Sequence, residues 1–423
     1  MAAAEVHRTI DALWRIQSAR LIAALARLVR DVGVAEELAQ DALVAALEQW
    51  PRTGIPDNPG AWLMATGKHR AIDHLRRHRM LTRKHEVLGH ELEMQQESGA
   101  GALEASADDA IGDDLLRLIF TACHPLLSTE ARTALTLKLL AGLTTAEIAR
   151  AFLVPEATVA QRIVRAKRAL AEAHVPFEIP RAEELKDRLS SVLEVIYLVF
   201  NEGYAATAGE DWVRPALCEE ALRLGRILAA LAPGEAEAHG LVALMEIQAS
   251  RMRARVGPTG EPILLMHQDR MQWDRLLIHR GLLALARGEA CGETRGPYLL
   301  QAAIAACHAR AMTAADTDWV FITALYDELA RLMPSPVVEL NRAVAVAMAY
   351  GPAAGLELAD RLQAEGALRN YHLLPSVRGD LLAKLGRYDE ARGQFMRAAR
   401  LTQNARESRL LLDRAHRCRR GEM

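Results

Sequence analysis

The sequence predicts an all-α protein: two small helical domains followed by a longer, helical-repeat-like C-terminal domain. Three observations predict it. Ala and Leu dominate a chain of 423 residues that is 51% hydrophobic, and β-branched residues are sparse, a mixture that favours helix. Apolar residues recur at helical spacing in one segment after another. Pro and Gly fall between those segments and punctuate them. The length fits roughly two to four domains.

The elements follow in order. Helices are expected near 5–31, 34–50 and 59–80, with the turn formers of PRTGIPDNPG (Pro51 to Gly60) separating the second from the third. Residues 83–113 have little periodicity, include ESGAGALEASADDAIGDD, and read as a flexible acidic linker. Helices near 114–126, 129–141, 145–152 and 155–174 come next, and the two prolines of VPFEIP (Val175 to Pro180) end that block. The domains are therefore 1–82, 114–175 and 181–423. The last holds roughly eleven helices by pattern.

A net charge of −2 hides strong segregation. Residues 1–85 carry 13 basic and 9 acidic groups, 86–114 carry 9 acidic and no basic ones, and 115–175 carry 8 basic and 4 acidic. Two basic blocks flank an acidic strap. The five cysteines have no CxxC spacing, so reduced thiols are expected and neither a disulfide framework nor a metal site. The opening MAAAEVHRTIDALWR reads as an amphipathic helix and not a signal sequence, and no apolar run approaches the ~20 residues of a membrane span. A cytoplasmic protein without cofactor or membrane attachment is expected.

Two motifs carry the chemistry. On the helix from Pro59 to Met80, Ala61, Ala65, Ile72 and Leu75 share one face, which predicts the buried side. Thr66, Arg70, Asp73, His74 and Arg77 share the other, where donors can meet a phosphate backbone. The segment TTAEIARAFLVPEATVAQRIVRAKRAL (Thr144 to Leu170) has helix-turn-helix spacing. Thr144 or Thr145 caps its first helix, Ile148, Ala149 and Phe152 pack inward, and Pro155 suits the start of the second helix. Val159, Ile163, Ala166 and Leu170 form the buried stripe of that second helix. Ala157, Gln161, Val164, Arg165 and Arg168 face the other way, toward a major groove. Gln161 and Arg165 have the chemistry for adenine and guanine edges, while Arg162, Lys167 and Arg168 suit phosphates.

In this order, AWLMATGKHRAIDHLRR (Ala61 to Arg77) and the helix-turn-helix resemble the two conserved domains of an extracytoplasmic-function sigma factor of the sigma-70 family. The resemblance implies region 2 at 1–82 and region 4 at 114–175. It implies RNA polymerase core and promoter DNA as partners, and no enzymatic activity. GVAEELAQDALVAALEQW (Gly33 to Trp50) is similar to the sigma helix that docks on the clamp coiled coil, with Glu37, Gln40 and Asp41 as polar contacts and Leu38, Ala42, Ala45 and Ala46 as its buried face. Thr66, Arg70, His74 and Arg77 would then hold the opened −10 strand, and Gln161, Arg162, Arg165, Lys167 and Arg168 the −35 duplex. Two departures stand out. His69 occupies a position where related sequences carry Asn, so it belongs either to the base pocket or to the core face. Leu153–Val154–Pro155 replaces Gly-Val-Ser in the turn.

The tail resembles the long repeat-containing extension of one sigma subgroup. Its end, LLAKLGRYDEARGQFMRAARL, looks like a tetratricopeptide repeat: Gly386, Ala391 and Ala398 would let helices approach, with Tyr388 and Phe395 between them. Gly351 precedes Gly386 by 35 residues, near the ~34 of that repeat. A polar set, Asn201, Glu202, Tyr204, Asp211, Arg214, Glu220, Arg251, Arg255, Asp269, Arg270, Trp273 and Asp274, reads as a salt-bridged and hydrogen-bonded lattice joining helix pairs. The tail then offers a surface for a protein or peptide partner. Two rivals remain at this point: a one-component helix-turn-helix regulator with a sensory repeat domain, and a small-molecule sensor or enzyme centred on that polar set.

Overall fold

The computed structural model describes residues 3–86, 107–152, 154–180, 182–206, 208–209, 212–292, 294–366 and 368–420. Among them are eighteen α-helices, three short 3-10 turns and one pair of two-residue strands. They form two compact units, Met1–Val195 and Ile196–Met423.

In the first unit, α1 (Ala3–Val29), α2 (Val32–Thr53) and α3 (Pro59–Glu86) pack together. Asp31 caps α2 by accepting from Val34 N at 2.9 Å, and Gly54, at φ 87°, ends it where an L side chain would be strained. Asn58 Oδ1 accepts from Ala61 N at 3.0 Å and starts α3. The core holds Leu21, Ile22 and Leu25 of α1, Leu38, Ala42, Ala45, Ala46 and Trp50 of α2, and Leu63 and Ala71 of α3. Trp50 meets Trp62 edge-on, with ring centroids 5.3 Å apart.

The buried face of α3 differs from the expected one. Ala61, Ala65 and Ile72 are exposed and Leu75 is half-buried, while Leu63, Gly67 and Ala71 are buried. Gly67 sets this orientation. A Cβ there would stand 3.0 Å from Leu21 Cδ1 and 3.2 Å from Leu25 Cδ1, so the helix turns its glycine to α1 to close the gap.

The same unit continues with α4 (Ala107–Ala122), α5 (Thr129–Leu139), α6 (Thr145–Phe152), α7 (Glu156–Glu172) and the first half of α8 (Ala182–Tyr204). Helix α4 begins at Ala107, seven residues before the expected start, and α3 runs on to Glu86. Both ends of the expected linker are therefore helical, and residues 87–106 lie outside the described residues. Asp114, counted in the acidic strap, is 2% exposed and accepts from Arg27 of α1 at 2.9 Å and Arg117 at 2.7 Å. The expected boundary at 175–181 does separate α7 from α8, yet the compact unit extends to Val195. The reason is packing. Ser191 Oγ donates to Cys123 O at 2.6 Å, Arg188 Nη2 donates to Phe120 O at 2.9 Å, and Arg132 pairs with Glu194 at 3.3 Å.

The second unit contains the rest of α8, α9 (Pro215–Leu231), α10 (Ala236–Ala249), α11 (Arg275–Ala290), α12 (Pro297–Arg310), α13 (Trp319–Leu332), α14 (Pro336–Tyr350), α15 (Pro352–Glu365), α16 (Leu373–Lys384), α17 (Tyr388–Leu401) and α18 (Ala405–Arg420). Successive helices pack on one another. Helix α10 is apolar nearly all round and correspondingly buried, against α9, α11 and α12. Gln403–Asn404 pairs in parallel with Ala208–Gly209, and Asn404 Nδ2 donates to Ala206 O at 3.1 Å, tying the last helices to the first of this unit. In α17, Ala391, Phe395 and Ala398 are fully buried, as expected. Gly386 is not a close-approach residue, because a Cβ there meets nothing within 4 Å; its φ of 74° is what requires glycine. Gly379 of α16 makes the close approach, with Phe395 of α17 at 2.8 Å from its notional Cβ.

Candidate nucleic-acid and polymerase interface

The helix-turn-helix is built from α6 and α7. Thr144 caps α6: its Oγ1 accepts from Glu147 N at 3.1 Å, and Glu147 Oε2 accepts from Thr144 N at 2.8 Å, a reciprocal pair that satisfies two donors at the helix start. Ile148 and Ala149 are buried and Phe152 is half-buried. Pro155 precedes the first turn of α7 with extended backbone, and the helix itself starts at Glu156. The buried stripe is Val159, Ile163, Ala166 and Leu170, as the spacing predicts.

The opposite side of α7 is open. Ala157, Gln161, Val164, Arg165 and Arg168 are exposed, and Val164, an apolar residue, is 64% exposed. Arg168 pairs with Glu172 one turn on, at 2.6 Å. Arg162 is half-buried. Lys167 differs from its expected place among phosphate-facing residues. Its ammonium is bonded to Glu36 of α2, and Lys138 of α5 reaches the same carboxylate at 3.7 Å. Glu36 is 4% exposed and also accepts from Gln40 Nε2. One buried carboxylate thus gathers α2, α5 and α7.

The expected polymerase-facing residues lie beside that junction. Glu37 and Asp41 are exposed. Gln40 is half-buried and held by Glu36, so it is not the free surface amide that the pattern predicts. On α3, Arg70 pairs with Asp41 at 3.1 Å, Arg77 is exposed with its Nε on Asp73 O at 3.3 Å, and Thr66 and His74 are half-buried. His69 is exposed, so it does not pack on the core face. Thr66, Arg70 and His74 flank the buried Leu63–Gly67–Ala71 stripe instead of opposing it. Arg70, Glu37 and Asp41 share one region of α2 and α3, whereas Gln161 and Arg165 form a separate face on α7. Glu36 and Lys138 were not among the expected site residues; the Glu36–Gln40 spacing of four was the available signal.

The polar set of the tail is held by ion pairs, by helix caps and by hydrogen bonds from Arg255 to Tyr204 O and from Arg270 to His308 O, Ala311 O and Thr317 Oγ1. Glu202 pairs with Arg214, and Glu220 with Arg223 at 2.9 Å. Asp269 and Asp274 cap helical turns by accepting from Met271 N and from Leu276 N and Leu277 N. Arg251, Arg255 and Arg270 also lie against aromatic rings. Asp211 lies outside the described residues. Burial pushes the Cys218 thiol up to about 12 and the Cys123 thiol up to about 11, which suits inert reduced cysteines. No helix among the described residues is long and apolar enough to cross a membrane.

Comparisons with known proteins agree with the order of the two blocks. Residues 16–80 match Sigma-70 region 2, residues 117–170 match Sigma-70 region 4, and residues 188–289 match a family of unknown function, DUF6596. The chain is 45% identical over 387 residues to the uncharacterized protein R00370 of Rhizobium meliloti (strain 1021), covering 91% of this chain and 90% of that protein. No solved structure matches it. With both conserved regions present and in order, on helices whose stripes and caps they require, the chain belongs to the sigma-70 family of RNA polymerase sigma factors.

Proposed function

We propose that this sigma factor belongs to the extracytoplasmic-function subgroup and directs promoter-specific initiation in the cytoplasm, with its repeat-like helical tail as a modulator that takes a protein or peptide partner. The observation that carries the reading is the pair of matched regions, each with an exposed polar face: Glu37 and Asp41 on α2, Gln161 and Arg165 on α7. Helix α2 docks on the polymerase clamp. Arg70, His74, Thr66 and Arg77 hold the opened −10 strand, where a basic groove grips unstacked bases. Gln161 and Arg165 read the −35 duplex in the major groove, while Arg162 and Arg168 meet its phosphates.

The free chain is a poor duplex binder in this reading. Lys167 is engaged by Glu36, so α7 is held against α2. Core polymerase competes for α2, releases α7 and fixes both regions at promoter spacing, which converts two weak contacts into one bivalent one. Within the acidic strap, Asp114 does not act as a competitor, since it is committed to Arg27 and Arg117.

In vitro transcription with purified core polymerase on a library of random upstream sequences tests the reading and returns the promoter. Asp41→Arg should lower affinity for core about 10-fold or more while the fold survives, because Asp41 is exposed and surface changes cost within about 0.5 kcal/mol. Unchanged core affinity removes the clamp assignment. Tight sequence-specific duplex binding by the free chain favours a one-component regulator instead.

A further inference from the structure

The second unit holds three arginines that meet no carboxylate among the described residues. Arg251, at the end of α10, is 8% exposed; Arg270 is 7% exposed; Arg255 is half-buried. The Arg251 guanidinium lies 5.7 Å from the Tyr204 ring centre and 5.9 Å from that of Trp273. Arg255 sits 3.7 Å over Tyr204 and 5.6 Å from Trp212, and Arg270 4.9 Å from Trp273. Arg251 therefore links the other two in one chain of alternating cations and rings.

Neutral groups account for the hydrogen bonds that exist. Arg270 Nη1 donates to His308 O and Ala311 O, both at 2.7 Å, and Nη2 to Thr317 Oγ1 at 3.1 Å. Arg255 Nη2 donates to Tyr204 O at 3.0 Å. Among the described residues Arg251 makes no side-chain hydrogen bond, and the Nε of all three is buried without a partner. Trp273 Nε1 and His308 Nδ1 are likewise unpartnered among the described residues. Among the described residues no carboxylate lies within ion-pair distance of any of the three. The nearby acids are committed elsewhere: Asp274 and Asp269 to helix starts, Glu202 to Arg214, Asp316 to Thr313. Glu210 and Asp211 lie outside the described residues.

A buried charge without a counter-ion is costly, and three of one sign in contact with the same rings repel one another. Cation–π contacts use the face of a guanidinium and leave its in-plane N–H edge for an oxyanion; among the described residues that edge carries no hydrogen bond at Arg251, while Arg255 and Arg270 have their Nε left over. His308 lies beside the same charges: its basicity is pushed down to about 4, first by burial and then by Arg251 and Arg270. We infer that the Arg251–Arg255–Arg270 cluster is a binding site for a small oxyanion, a phosphate or carboxylate group of a metabolite, which supplies the missing charge.

The test is calorimetric titration of the intact chain with inorganic phosphate and, separately, with citrate, each at ionic strength matched by chloride. We expect saturable binding of at least one, and the stronger of the two names the headgroup. Arg251→Met should weaken it about 10-fold or more, and Arg255→Lys, which keeps the charge and loses the fork, should weaken it less. Arg253→Gln, an exposed arginine two residues away, should leave it unchanged. Absence of saturable binding of either anion by the wild-type chain overturns the inference whatever the variants do. So does an Arg253→Gln loss as large as that of a folded Arg251→Met or, if that variant does not fold, of Arg255→Lys.

Discussion

The arginines of α7 and those around Trp273 are the same side chain placed under opposite rules. Arg165 and Arg168 stand in water on a helix whose buried stripe is complete without them. Arg251 and Arg270 are nearly sealed, stacked on rings and bonded, where bonded at all, to backbone carbonyls and a hydroxyl. The first pair can be changed without touching the fold and is available to a polyanion. The second is built into the fold and carries an electrostatic debt. Exposure, and not residue type, separates a contact residue from a framework residue here.

The strongest way to break this contrast is Arg270→Ala. It strips donors from His308 O, Ala311 O and Thr317 Oγ1 and opens a cavity beside Trp273, so a loss of about 2–4 kcal/mol is expected in denaturant unfolding even after relief of its repulsion with Arg251. A loss under about 1 kcal/mol would mean that Arg270 is not a framework residue. Arg165→Ala is the counterpart on α7. Its unfolding curve should stay within about 0.5 kcal/mol of wild type, while transcription from the cognate promoter falls about 10-fold, the scale of one lost base contact. Equal transcription would remove Arg165 from the reading face. Glu36→Gln sharpens the comparison by converting Lys167 from a framework residue to a free one. The variant should lose about 1–3 kcal/mol of stability and bind promoter duplex several-fold better without core polymerase. Unchanged duplex binding would show that Glu36 does not restrain α7.

The smallest effect at neutral pH is His308→Gln. The folded-state basicity of His308 is lowered from 6.5 to about 4, so the unfolded chain takes up the proton first on acidification. Its contribution is complete above about pH 6.5 and lost progressively down to about pH 4. His308→Gln should flatten that part of the stability–pH curve and leave neutral-pH stability nearly unchanged. A slope between pH 6.5 and 4 identical to wild type would contradict the assignment.

Much of this was legible before the fold. The stripe Val159–Ile163–Ala166–Leu170 and the α2 face Leu38–Ala42–Ala45–Ala46 follow from helical spacing because each contains residues that water rejects. The α3 face was misjudged because Gly67, which decides the approach to α1, carries no hydrophobic signal, while exposed Ala61, Ala65 and Ile72 do. The start of α4 was placed late because Asp108, Asp109, Asp113 and Asp114 look like a solvated strap; acidic residues also favour the first turns of a helix, and that reading wins. For the candidate site, the open face of α7 was visible, but the partners of Lys167 and Gln40 were not, since Glu36 meets Lys167 across 131 residues of sequence. The same holds for the tail, where the polar residues were seen and their division into paired and unpaired sets required the fold.

Gly351 and Gly386 sit in the turns of two successive hairpins, α14–α15 and α16–α17, both with positive φ. The hairpins match in length, yet their close fits run in opposite directions. In the first, a glycine of the second helix, Gly355, abuts the first helix at Ala343 O, 2.5 Å from its notional Cβ; in the second, a glycine of the first helix, Gly379, abuts Phe395 of the second. A recombination that exchanged one hairpin's second helix for the other's would keep register and reading frame. Counted from the turn glycines, it would also set Gly355 against Leu382 in place of Ala347, and Phe395 against Val344 in place of Gly379, a collision in both products. Modules of this tail are interchangeable as lengths of gene but not as solids, which should make its order of helices hard to shuffle in evolution even where its length is free to vary.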